Sequence, residues 1–264
     1  MSPETHTNRS LSLWRETLAG LDWMALRLSG VYAGTGVPQG DGAPVVVVPG
    51  LFASDASLIE LEGWLRRVGY RPYLSGIGRN IERPGVTLPR LTVTIDRAHA
   101  ETGRRVILIG HSLGGLLARG AALRRPSKVA HVVTLGSPVS GVRVHPAILA
   151  AAELLCGEAP VHCIAELQHA LPRDVTETNI YTQDDGVVDP TTCRRNDTPS
   201  IAVRGSHVAL VANAGVFRAL GSVLSEAVAA EHARLARETG TRQLGRALAY
   251  RAPAPRSWPD RMAA

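Results

Sequence analysis

The sequence predicts an α/β fold: a mainly parallel sheet of about six strands, helices on both faces and a small helical cap. Three observations carry this. Short β-branched runs alternate with longer stretches of helical apolar spacing; the run Val106–Ile109 leads straight into a G-x-S-x-G turn and a helix; and one long connection, 141–178, interrupts the alternation. Single helices between successive strands suit parallel pairing, because a parallel pair needs a crossover.

Each element has its own reason. Leu11, Trp14, Leu18, Leu21, Met24 and Leu28 fall at helical spacing among Arg15, Glu16 and Asp22, which predicts an amphipathic helix packed on the core. Peripheral membrane contact is its alternative role. The interspersed charges exclude a membrane span, and no basic leader with an unbroken apolar run precedes it, so a cytoplasmic location is expected. The irregular glycines of 34–42 read as a linker, so 1–42 form an N-terminal helix and linker and 43–232 the main domain. Val45–Val48 is a strand buried on both faces. Further strands are expected at Arg71–Leu74, Val106–Ile109, His131–Leu135, Asn179–Thr182 and Ser200–Val203, with helices at Leu58–Val68, Leu88–Glu101 and Ser112–Arg124. Arg124, Arg125 and Pro126 bring the third helix to an end. Within 141–178, Pro146–Leu155 and Ile164–Leu171 are helix-like and apolar, a two-helix cap over the turn at Ser112.

Composition limits the alternatives. A chain of 264 residues, 45% hydrophobic and 20% charged, can bury a full core without disulfide or metal staples. Of the net charge of +6, residues 233–264 carry +5, seven arginines against Glu238 and Asp260. That concentration reads as a basic, loosely ordered extension, and without aromatic and basic residues interleaved it does not point to nucleic acid. Cys156, His162, Cys163 and His169 match no common zinc spacing, and adjacent His162 and Cys163 would make awkward ligands, so no metal is expected. A Cys156–Cys163 disulfide is geometrically open, though free thiols are expected in a reducing compartment, with Cys193 left over.

The candidate chemistry starts at Ser112, within Gly110-His111-Ser112-Leu113-Gly114. A serine held on a sharp strand-to-helix turn projects its Oγ, and glycines two residues to either side relieve the crowding. Serine is a poor nucleophile at neutral pH and needs an imidazole to take its proton. His207, in the loop after Ser200–Val203, supplies it. Asp185 supplies the carboxylate that orients the imidazole, with Asp184 and Asp189 as competitors; it is preferred because Gly186 lies beside it and Val187-Val188 anchor the turn behind it. Backbone donors for a developing oxyanion are expected from Leu113 and from Leu51 after the first strand, with Phe52 the runner-up.

Taken together, VVVVPGLFASD, GHSLGG, TLGSPVSG at 134–141, DDGVVDP and GSHVAL resemble the bacterial α/β-hydrolase lipases and esterases, particularly small triacylglycerol-lipase-like members. The resemblance spans Val45 to about Leu220. It implies hydrolysis of small-molecule or lipid esters through an acyl-enzyme, without a cofactor. The chain departs from it in having Pro49-Gly50 where many such lipases have His-Gly before the oxyanion residue. Thioesterase, amidase, depolymerase or acyltransferase chemistry would use the same residues, and a non-catalytic binding module of the same fold is the contrasting alternative. Oligomeric state is not legible.

Overall fold

Six β-rich runs pair into one sheet in a computed structural model that describes residues 11–156 and 167–250. The strands are β1 Pro44–Val48, β2 Arg71–Leu74, β3 Val106–His111, β4 Val129–Leu135, β5 Thr176–Thr182 and β6 Ser200–Val203. Their order is β2-β1-β3-β4-β5-β6, and every neighbouring pair is parallel. The described helices are α1 Ala19–Leu28, α2 Ile59–Arg67, α3 Pro84–Thr102, α4 Leu113–Arg124, α5 Pro146–Cys156 and α6 Ala214–Tyr250. The chain divides into two units, Met1–Ala227 and Val228–Ala264, and the sheet lies in the first.

The strands form where β-branched residues are buried on both sides, as a parallel sheet requires. Val46, Val48, Val106 and Leu108 share one cluster with Leu88, Leu91 and Ile95 of α3 and with Leu116, Leu117 and Ala121 of α4. Their neighbours Val45, Val47, Ile107 and Ile109 alternate to the opposite face and are also buried. Trp64 of α2 stacks on Phe217 of α6, ring centroids 4.7 Å apart, and its indole N–H donates to the Val31 carbonyl at 2.8 Å. α3 begins earlier than the apolar spacing suggests, at Pro84, where a missing N–H has no intrahelical acceptor to lose.

The expected N-terminal helix is present as α1, but it starts later and packs differently from the expectation. Leu13–Leu18 is a 3-10 turn rather than α-helix, and Trp14, Leu21, Met24 and Leu28 are exposed while Leu26 is buried. The segment therefore does not lay its apolar stripe on the core. Its polar side faces inward instead, because Glu16 and Asp22 accept hydrogen bonds from loop N–H groups. The stretch 233–250, read as loosely ordered, continues α6 to Tyr250. Arg234 pairs with Glu231 and Glu238 at helical spacing, a stabilising pattern that the count of arginines concealed.

In the long connection after β4, α5 occupies the first expected cap helix. Residues 157–166, with His162, Cys163 and the start of the second expected helix, lie outside the described residues, as do the side chains of Leu154, Leu155 and Cys156. The connection returns at Leu167, where a fully buried Arg119 of α4 takes hold of it. The guanidinium donates to the carbonyls of Leu167, Gln168 and His169 at 3.2, 3.3 and 2.7 Å and pairs with Glu177 of β5. Cys193 is a buried free thiol whose pKa is raised by burial and by Asp185 and Asp189.

Two predictions follow from these buried polar groups. Arg119→Met would leave Glu177 as an unpaired buried charge and should cost about 3–5 kcal/mol, read from urea denaturation at pH 7. His131, buried in β4 with Nδ1 2.6 Å from Thr176 Oγ1 and no partner at Nε2, is held by burial at a pKa of about 4. The unfolded chain, with histidine near 6.5, therefore takes up the proton first as pH falls. The His131 share of stability should drop from about pH 6.5 to about 4, by up to about 1.4 kcal/mol per pH unit, and level off below. His131→Leu should flatten that slope in denaturation curves taken at successive pH values.

Candidate active site

The direction of the chain reverses across β1. It passes from β1 to β2 on one side and returns to β3 on the other, so the carboxyl ends of β1 and β3 flank a topological switch point. Ser112 stands at the end of β3. It is the single residue between β3 and α4, with φ 52° and ψ −124°. A side chain at Gly110 would collide with Gly114, and one at Gly114 with the carbonyls of Val48 and Pro49, so both positions exclude anything larger than glycine. The turn after β1 abuts the serine: a Cβ at Gly50 would lie 3.2 Å from Ser112 Cβ. Phe52, in that turn, has φ 65°, and among the described residues it and Ser112 are the non-glycine residues with positive φ. Strain of this kind, of order 1–3 kcal/mol per residue, persists where the surroundings over-determine the backbone.

Asn80 is part of those surroundings. It is fully buried; its Nδ2 donates to the Pro49 carbonyl at 2.9 Å and its N–H to the Ala53 carbonyl at 2.8 Å. Its own carbonyl accepts the Phe52 N–H at 2.9 Å. Phe52 is therefore corrected as an oxyanion donor, because its N–H is already engaged. The Leu51 N–H has no acceptor among the described residues, and Leu113, the first residue of α4, has none within the helix.

The structure brings Asp185 and His207 together, Oδ2 2.7 Å from Nδ1, both buried. The other carboxylate oxygen accepts the N–H groups of Val187 and Val188 at 2.9 and 2.7 Å, a turn closed by the acid itself. Val187 and Val188 anchor it in a cluster with Tyr181 and Cys193, against which Val144 and Ile148 pack. Asp189 instead closes its own turn on Thr191 and pairs with Arg143 at 3.2 Å, while the Asp184 N–H donates to Thr182 Oγ1 at 3.1 Å. With Nδ1–H donated to Asp185, the remaining ring nitrogen of neutral His207 carries the lone pair that can accept a proton.

His111 connects the turn to the histidine loop. Its Nε2 lies 3.0 Å from the His207 carbonyl oxygen, so Nε2 carries the proton and donates it. The two rings are 4.9 Å apart. Burial, with His207 adding to it, pushes the His111 pKa down to about 3, so this ring stays neutral. Neither His111 nor Asn80 could be singled out from sequence: their partners are distant in the chain, and neither lies in a periodic pattern.

A family model described as the alpha/beta hydrolase fold matches residues 94–154. Solved structures agree in topology. The mature lipase BlEst2 of Bacillus licheniformis superposes with TM-score 0.56 and 16% identity over 72% of this chain and 94% of its own. A soluble variant of monoglyceride lipase from Saccharomyces cerevisiae gives 0.55 and 13%, over 72% and 90%. A lipase-esterase related protein from Clostridium acetobutylicum gives 0.51 and 14%, over 72% and 97%.

The fold is that of the α/β-hydrolases.

Comparison with curated protein sequences finds no match. Within the α/β-hydrolase fold, the matched family segment contains Ser112 but ends before Asp185 and His207, so the pairing of those two rests on this chain's own geometry. No helix among the described residues is long and apolar enough to cross a membrane.

Asn80 generates a prediction that is independent of activity. Asn80→Ala strands the buried Pro49 carbonyl and should destabilise the protein by about 1–3 kcal/mol in denaturant titrations. Exchange of the Phe52 amide proton should stay slow, since its acceptor is main chain.

Proposed function

We propose that the protein is a serine hydrolase that cleaves carboxylic esters of apolar acyl groups through an acyl-enzyme. The observation that carries this reading is the buried Asp185–His207 pair beside a strained serine turn. In the proposed cycle His207 takes the Ser112 proton as Oγ attacks the acyl carbon, then returns a proton to the leaving alcohol. Asp185 holds the tautomer and stabilises the imidazolium. The N–H groups of Leu51 and Leu113 receive the oxyanion. Water repeats the sequence to release the acid, and the chemistry calls on no cofactor. The apolar stretch Pro146–Cys156, entering from the carboxyl end of β4, supports an apolar acyl side.

The test is covalent labelling. A fluorophosphonate should modify the wild-type protein at Ser112, located by peptide mass, and Ser112→Ala should abolish both labelling and hydrolysis of p-nitrophenyl esters while the protein stays folded. Asp185→Asn should lower kcat by roughly three to four orders of magnitude, and Asp189→Asn far less. Across p-nitrophenyl esters from acetate upward, each methylene that fits should raise kcat/KM about three- to fourfold. A folded wild type that neither labels nor turns over would refute the reading in favour of a binding module.

A further inference from the structure

The N-terminal segment seats two carboxylates on the loops that carry Asp185 and His207. Glu16 Oε1 accepts the N–H of Gly186 at 3.1 Å and that of His207 at 3.3 Å, and Oε2 accepts the N–H of Val208 at 2.8 Å. One side chain thus joins the residue after the acid to the backbone of the histidine. Asp22 adds the Ser206 N–H at 3.3 Å and Asn213 Nδ2 at 3.1 Å. The loops are shaped to admit the segment. A Cβ at Gly186 would collide with the Ser12 carbonyl and lie 3.0 Å from Glu16 Oε1, and one at Gly205 would lie 3.0 Å from Asp22 Oδ1. Apolar contact contributes as well, since Leu26 of α1 is fully buried. Beside these contacts lies an open pocket of about 470 Å³, lined by Trp14, Leu21, Asp22 and Ala25 of the segment and by Asp184, Gly205 and Ser206 of the loops.

We infer that Glu16 is a positioning residue for the Asp185–His207 pair, which makes the segment before β1 a working part of the centre. This rests on the serine-hydrolase reading above. The Nδ1–Oδ2 bond sets the distance between the acid and the imidazole, Thr182 Oγ1 holds the Gly205 carbonyl at 2.7 Å and His111 the His207 carbonyl, but none of these reaches the backbone at 186. Glu16 fixes the backbone at 186 and at 207–208 to one rigid group. A carboxylate suits the task because both oxygens only accept, and three N–H groups converge on them. Glutamine offers one accepting oxygen and would turn its NH₂ toward the Val208 N–H; aspartate is a methylene too short.

The experiment compares Glu16→Gln, Gly186→Ala and the control Leu28→Ala, the last at an exposed position on the same segment. Gly186→Ala crowds the Ser12 carbonyl and Glu16 Oε1 while leaving the Glu16 side chain itself unchanged. Both test variants should lower kcat about ten- to hundredfold, with KM within twofold, because Glu16 acts through the pair and not on substrate. They should also shift or broaden the far-downfield proton resonance of the His207–Asp185 hydrogen bond. Leu28→Ala should change neither. Full kcat in both test variants, or a loss of kcat with that resonance unmoved, would overturn the inference. A wild type inert toward fluorophosphonate and esters would instead refute the serine-hydrolase reading. In that case the resonance still decides whether Glu16 orders the pair, and an unmoved signal in both variants would refute this inference too.

Discussion

The site is organised by a turn that leaves the chain one residue to change direction. β3 is buried up to Gly110, and α4 is buried from Gly114 through Ala122, so the passage between them has no room to bulge. Ser112 absorbs the whole reversal in a conformation that L-residues avoid. The same crowding sets the neighbouring parts. Gly114 lies against the carbonyls of Val48 and Pro49, which fixes α4 on the end of β1 and brings the turn at Gly50 against the serine. On the other flank the Ser112 N–H donates to the Leu135 carbonyl at 2.8 Å, tying the turn to β4, just before the glycine on which the His207 ring rests.

Beyond the strand ends the backbone loses its ladder partners, and carboxylates replace them. Asp55 accepts the N–H groups of Ser75 and Gly76 at 3.1 and 3.0 Å, linking the loop after β1 to the end of β2. Asp185, Glu16 and Asp22 repeat the device on the acid and histidine loops. Each carboxylate has two oxygens that only accept, so one side chain satisfies two or three loop N–H groups. Arg119 does the converse for the carbonyls of 167–169. Among the described residues, loop order here comes from charged side chains bonded to backbone groups. It concentrates on the segments that return to the sheet near the switch point.

The two histidines at the centre divide their roles by environment. His111, neutral down to a pKa of about 3, can lie 4.9 Å from the His207 ring without opposing a positive charge there. It spends its one proton on the His207 carbonyl, so the residue preceding the serine also holds the backbone of the histidine loop. Two contacts thus meet on one loop, His111 from the turn and Glu16 from the N-terminal segment.

Local pattern carried much of this into view. Val45–Val48 and Val106–Ile109 are legible as buried parallel strands because β-branched residues with no polar alternation have one stable environment. Ser112 is legible because a one-residue turn demands glycines at fixed offsets, and Asp185 stands out from Asp184 and Asp189 because Gly186 and Val187-Val188 build the turn that its carboxylate closes. The roles of Glu16, Asn80, His111 and Arg119 were not legible. Each binds backbone groups remote in the chain, and no spacing rule relates a carboxylate near the N-terminus to an amide at 207. For the N-terminal segment, periodicity even pointed the wrong way. Its apolar stripe predicted burial, yet Trp14, Leu21, Met24 and Leu28 are exposed and Glu16 meets three loop N–H groups instead. Sequence by itself determined the six strands, the serine turn and the helices between the first four strands, since those depend on neighbours a few positions away. Only the tertiary structure decided which polar side chains complete the site, because that depends on which backbone groups the sheet leaves without partners.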